Sequence, residues 1–181
     1  MKRFGLALLV VVLVATATPL FAQGNPGGTA IARLRGFEEV PAISTTGGGR
    51  FNATVNAQGT MVNWELNYFN LEAPVTQAHI HFAQRGVNGG VVVFLCSNLD
   101  NAPVGVPGCP PSPGFLSGTF DAADVVAGAA AQGITPGELH SVLRAMRAGM
   151  TYVNVHTTLF PGGEIRGQLL FNQGQGQGQG E

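Results

Sequence analysis

Eight short stretches of the chain, most of them alternating apolar with polar residues, are separated by Gly, Asn and Pro. TMVNWELNYF (60–69) is the clearest, with Val62, Trp64, Leu66 and Tyr68 on one face. GRFNATVNA (49–57) puts Phe51 and Val55 together, and TAIARLRG (29–36) offers Ile31 and Leu34. VTQAHIHFA (75–83), GVVVFLC (90–96), GFLSGTF (114–120), TYVNVHT (151–157) and EIRGQLLF (164–171) complete the set. Period-two alternation, where present, and short β-branched runs bounded by turn residues predict β-strands, in which successive side chains point to opposite faces. About eight short strands at this spacing predict a mainly β fold, an antiparallel Greek-key-like sandwich or barrel.

The period changes late in the chain. Leu139, Val142, Leu143 and Met146 fall at i, i+3, i+4 and i+7, an amphipathic helix stripe. Thr135-Pro-Gly-Glu138 reads as a capping box with proline at the first helical position, and Gly149 as the stop. Asp121 to Ala131 is a shorter second candidate, capped by Asp121. One or two short helices are therefore expected over an open end or edge of the sheet.

The termini have other characters. Residues 1–22 read as a secretory signal peptide: Lys2 and Arg3, an apolar run from Leu6 to Val14, then small residues ending at Ala22. The apolar run is too short to span a bilayer, so no transmembrane segment is expected after cleavage. Residues 23–28 read as a flexible leader, 29–171 as one domain, and 172–181 as a disordered Gln-Gly tail that cannot bury apolar surface. The expected location is secreted or periplasmic. Cleavage removes the only lysine and leaves seven arginines against ten acids, a net charge of −3. That balance does not offer a basic patch to nucleic acid.

Two cysteines remain, Cys96 and Cys109, and in an exported protein they are expected to form a disulfide across an irregular loop. Closing such a loop is worth about 3 kcal/mol in the chain-entropy model. A pair of metal-bound thiolates is the alternative.

The chemistry lies in AHIHFAQRGVNG (78–89), a strand pattern ending in the hairpin signal Asn-Gly. Alternation puts Ile80 and Phe82 on one face and His79 and His81 on the other. In 152–156, Val153 and Val155 oppose Tyr152, Asn154 and His156; in 164–169, Glu164, Arg166 and Gln168 oppose Ile165 and Leu169. Overlaying A-H-I-H on V-N-V-H makes His156 correspond to His81 and Asn154 to His79; if the two strands are neighbours, the three histidines can converge. Histidines at i and i+2 of a strand have Cα atoms about 6.5–7 Å apart, and their rings can lean toward one ion. His79, His81 and His156 are thus candidate ligands for copper or zinc. Glu164 is a candidate to orient a ligand, and Asn154, Glu164 and Arg166 to form a polar network with His79. Sharing an ion would need ring nitrogens within about 5 Å of one another. The competing reading makes these histidines ordinary polar residues of a strand face. His140 lies on the helix face with Arg144 and Arg147 and reads as solvated. TTGGGR lacks the Lys-Ser/Thr of a phosphate cradle.

LRGFEEVPAISTTGGG, AHIHFAQRGVNGGVVVFLC and AGMTYVNVHTTLFPGGEIRGQL together resemble the chordin-type CHRD domain. The resemblance covers about residues 29–171 and rests on the ordered set E-x-P, HIH-x-x-x-x-G-x-N-G and Y-V-N-V-H-T-x-x-x-P-x-G-E-I-R-G-Q. It implies a β-rich extracytoplasmic domain without an assigned activity. In animals such domains occur in chordin, an antagonist of bone morphogenetic proteins. The cysteine-rich modules that bind the growth factor there have no counterpart here, so antagonism does not carry over. The His-x-His with a distant third His is also similar to part of the copper site of Cu/Zn superoxide dismutases, without the bridging histidine and zinc subsite.

Three functions follow as expectations. The first is an exported, non-catalytic binding module with a His-based, copper-like metal site. The second is a mononuclear copper redox enzyme. The third is a matrix or surface protein-interaction domain whose histidines are structural.

Overall fold

The structure is a computed structural model describing residues 27–173. The expected signal peptide and most of the leader and tail lie outside the described residues; Gly28, expected in the flexible leader, is the first residue of a strand. Nine strands form one antiparallel sheet that wraps into a nearly closed barrel. They are β1 (Gly28–Arg35), β2 (Gly48–Val55), β3 (Val62–Phe69), β4 (Val75–Phe82), β5 (Gly90–Ser97), β6 (Gly114–Phe120), β7 (Thr151–Thr157), β8 (Ile165–Gln168) and β9 (Leu170–Asn172). The order is β5-β4-β7-β8-β1-β2-β3-β6, and β9 also pairs with β1. A disulfide joins Cys96 to Cys109.

The interior follows the alternation. Phe51, Ala53 and Val55 of β2 and Val62, Trp64, Leu66 and Tyr68 of β3 are buried on the inner face. Phe51 and Trp64 stack there at 6.4 Å. In β1 the inward set is Ala30, Ala32 and Leu34; Ile31 has the opposite parity and is only partly buried. Small residues do not announce a core face, which is why Ile31 drew attention.

Three local readings change. The run 164–171 is not one strand: it breaks at Leu169, which is fully buried and donates its N–H to Thr151 O at 2.9 Å. β9 then carries pairing through Asn172, opposite Thr29, where the tail was expected to begin. The single α-helix among the described residues, α1 (Leu139–Arg147), starts three residues after the expected first helical position, Pro136. The Glu138 carboxylate does accept the Thr135 N–H at 2.7 Å, but Gly137 at φ +85° turns the chain before the helix begins. Its stripe of Leu139, Val142, Leu143 and Met146 is buried, and Gly149 at φ +69° follows the helix end. Asp121–Ala131 forms two 3-10 turns (Ala122–Asp124 and Ala127–Gln132), with Asp121 capping the first as expected. The edge of β5 competes for this segment's backbone: Val126 donates to Val92 O at 3.0 Å instead of closing a helical turn.

β4 and β5 form the expected hairpin, but residues 83–89 link them, so Asn-Gly is not a two-residue turn. Gly89 is required by contact, since a Cβ there would lie 1.9 Å from Phe82 O. This loop folds back over the outer face of the sheet. That return creates the site.

Candidate functional site

β7 is buried along its whole length, on both faces. Its inner face carries Val153 and Val155, and its outer face Tyr152, Asn154 and His156. The expectation of a possible solvent-facing polar side fails here, because loops cover it. β4 runs antiparallel beside it, pairing His79 with Asn154, His81 with Tyr152 and Gln77 with His156. The pairing keeps His79 with Asn154, as in the overlay, but sets His156 opposite Gln77 instead of His81; parity still directs all three imidazoles to one place. His79, His81 and His156 are 3%, 8% and 6% exposed, and one donor atom of each lies within 4.8 Å of the others.

Hydrogen bonds fix the protons. His81 Nδ1 lies 2.9 Å from Gly89 O and His156 Nδ1 2.9 Å from Pro161 O. A carbonyl only accepts, so each Nδ1 donates and each neutral ring keeps its lone pair on Nε2. His156 Nε2 is 3.3 Å from His79 Nδ1 and 3.0 Å from Asn154 Oδ1. The Nε2 atoms of His79 and His81 are buried with no hydrogen-bond partner. An unsatisfied buried polar atom costs about 1–3 kcal/mol.

Burial sets the charge. It holds the His79 pKa down at about 3, aided by repulsion from His156 and His81. Burial also brings His81 to about 4, against the opposing pull of the Gly89 carbonyl. His156 is lowered by burial as well, opposed by the Pro161 carbonyl. All three rings are neutral at pH 7, the form that ligates metal. The donor set suits zinc or copper, which accept imidazole nitrogen.

Neighbouring aromatics pack the rings. The His79 ring meets Phe94 edge-on at 4.5 Å. His81 stacks on Tyr152, and the Arg166 guanidinium lies 3.4 Å from the Tyr152 centroid on that ring's face. Arg166 is 1% exposed and donates to Asn88 Oδ1 at 2.9 Å and Val87 O at 2.7 Å, tying the 83–89 loop down.

Glu164 goes elsewhere. Its oxygens accept from Thr45 Oγ1, Glu72 N and Thr157 Oγ1 at 2.8–2.9 Å, so it joins loops and hydrogen-bonds to none of the histidines. Glu39 is the carboxylate that faces Arg166; burial raises its pKa to about 7, with Arg166 opposing. Sequence reasoning missed Glu39, because a loop residue so far from β8 in the sequence has no spacing that ties it to that strand. Tyr152 carried a readable signal, its parity with Asn154 and His156. His140 is exposed on α1, away from the cluster, as expected.

A family model for the CHRD domain matches residues 30–169, and the chain belongs to that family. No curated protein and no solved structure matches it.

Proposed function

We propose that this CHRD domain is an exported, non-catalytic binding module in which His79, His81 and His156 hold one transition-metal ion, copper or zinc. The observation that carries the reading is the pair of buried, unpartnered Nε2 atoms on His79 and His81, within a triad whose donors lie within 4.8 Å. An ion held by one ring nitrogen from each histidine would give this buried, under-bonded cluster a partner. Backbone carbonyls on Nδ1 of His81 and His156 orient Nε2 in the way outer hydrogen bonds orient metal-bound imidazoles. Three imidazoles leave a tetrahedral ion one position open; what supports holding over turnover is the loop cover of this face, which leaves the rings only 3–8% exposed and limits access of a substrate. This weighs against the copper redox enzyme. The disulfide supports an extracytoplasmic location.

A second reading has one observation in its favour. The His79 Nδ1–His156 Nε2 contact of 3.3 Å is also a hydrogen bond that needs no ion, the core of a purely structural cluster. Titration of Cu²⁺ and Zn²⁺ into metal-free protein separates the two. The metal site predicts one ion per chain, bound at least about a hundredfold more tightly than by His79→Ala/His81→Ala. The His140→Ala variant should match the parent. Equal affinity in the double variant would leave the structural cluster.

A further inference from the structure

Composition makes this chain mildly acidic, yet the fold gathers most of its arginines. After removal of residues 1–22 seven arginines remain, and five of them meet on or beside one stretch of the outer sheet surface. Arg33 of β1 pairs directly with Arg50 of β2, and Arg35 of β1 directly with Arg166 of β8. Residues directly opposite in an antiparallel ladder project to the same side, and like charges so placed destabilise a sheet. Arg85, from the 83–89 loop, comes to the same region. It forms an ion pair with Glu38. Arg33 and Arg35 are exposed and form no ion pair.

Arg33, Arg35 and Arg85 line a groove of about 280 Å³ with Glu38 and Gln168. Gln168 is 8% exposed; its Nε2 donates to Ala83 O and Gly149 O, and its Oε1 is buried without a partner. The groove thus combines fork-shaped cations with an acceptor in need of an O–H or N–H. Guanidinium groups match carboxylate and sulfate oxygens two at a time.

We propose that this groove binds an acidic saccharide, its carboxylate or sulfate on Arg33, Arg35 and Arg85 and a ring hydroxyl donating to Gln168 Oε1. No aromatic side chain lines the groove, so it has no surface on which nucleic-acid bases would stack. The proposal is independent of the metal reading.

The test uses the whole exported chain at low ionic strength, where exposed charges are least screened. Four probes are titrated: a sulfated heparin tetrasaccharide, trigalacturonic acid, a single-stranded octathymidylate and inorganic sulfate. At least one saccharide should bind, more tightly than sulfate or the oligonucleotide, and the two saccharides separate sulfate from carboxylate recognition. Arg33→Gln/Arg35→Gln should weaken that binding at least about tenfold while melting no lower than the parent. Arg144→Gln, on α1, should leave it unchanged. Should Arg144→Gln lose as much, the attraction is diffuse charge and the groove is not a site. Binding no tighter than inorganic sulfate, preference for the oligonucleotide, or no binding at all would also overturn the proposal.

Discussion

His81 and Tyr152 lie face to face across the β4–β7 ladder, their ring centroids 4.7 Å apart and their planes within 4°. Arg166 covers Tyr152, so a buried cation, a phenol ring and a candidate ligand are stacked in sequence. The stack fixes the orientation of the His81 ring from its side, while the Gly89 carbonyl fixes it from Nδ1. Tyr152→Ala should therefore lower copper or zinc affinity about 10–100-fold, the range for groups that orient metal ligands. Tyr152→Phe keeps the ring and should stay within a few-fold of the parent. Metal titration of both variants is the check, and equal losses would show that the hydroxyl, not the stack, matters.

The depressed histidine pKa values make metal-free stability depend on pH. Each ring has a folded pKa below its unfolded value of 6.5, so its contribution is present above pH 6.5 and is lost as pH falls through about 4 for His81 and about 3 for His79. Glu39 has the opposite sign. Its pKa rises from 4.5 to about 7, so its contribution is present below pH 4.5 and lost as pH rises through 7. His79 and His81 together outweigh Glu39, and His156 adds in the same direction, so unfolding near pH 5 should take up at least about one proton net. The urea midpoint should rise from pH 4.5 to 6.5, and Glu39→Gln should steepen that rise. A flat profile in the parent would mean the rings are hydrated.

Two adjacent glycines should respond differently to a methyl group. Gly163 has φ +125°, and a Cβ there would lie 2.4 Å from Glu39 Oε1; Gly162 has open space. Gly163→Ala should cost about 1–3 kcal/mol through backbone strain and displacement of Glu39. Gly162→Ala should lie within about 0.5 kcal/mol of the parent, as for an unremarkable surface change. Chemical denaturation of the pair measures both.

The legibility of this chain follows from the range of its interactions. Parity along one strand is local, so the inward set of β3 and the shared face of His79 and His81 could be read directly. The meeting of His156 with them could be framed but not fixed, since it depends on β7 lying beside β4. The burial of the polar face was not legible. It arises from the 83–89 loop, pinned by Arg166 to Asn88 and Val87, far from it in sequence. Glu164 shows the limit of parity: it lies before the first residue of β8, where the pleat no longer dictates direction, and it turned to Thr157 and Thr45. The arginine groove was hidden for a different reason. Net charge averages over the surface, while strand register decides which arginines face one another.

Elemental analysis of the chain exported into a copper- and zinc-supplied oxidising compartment, purified without a histidine tag, tests the central claim most directly. The account predicts about one copper or zinc per chain in the parent and in His140→Ala, and under about a tenth of that in a folded His81→Ala variant. A parent free of both metals, or a His81→Ala variant that keeps its ion, would contradict it.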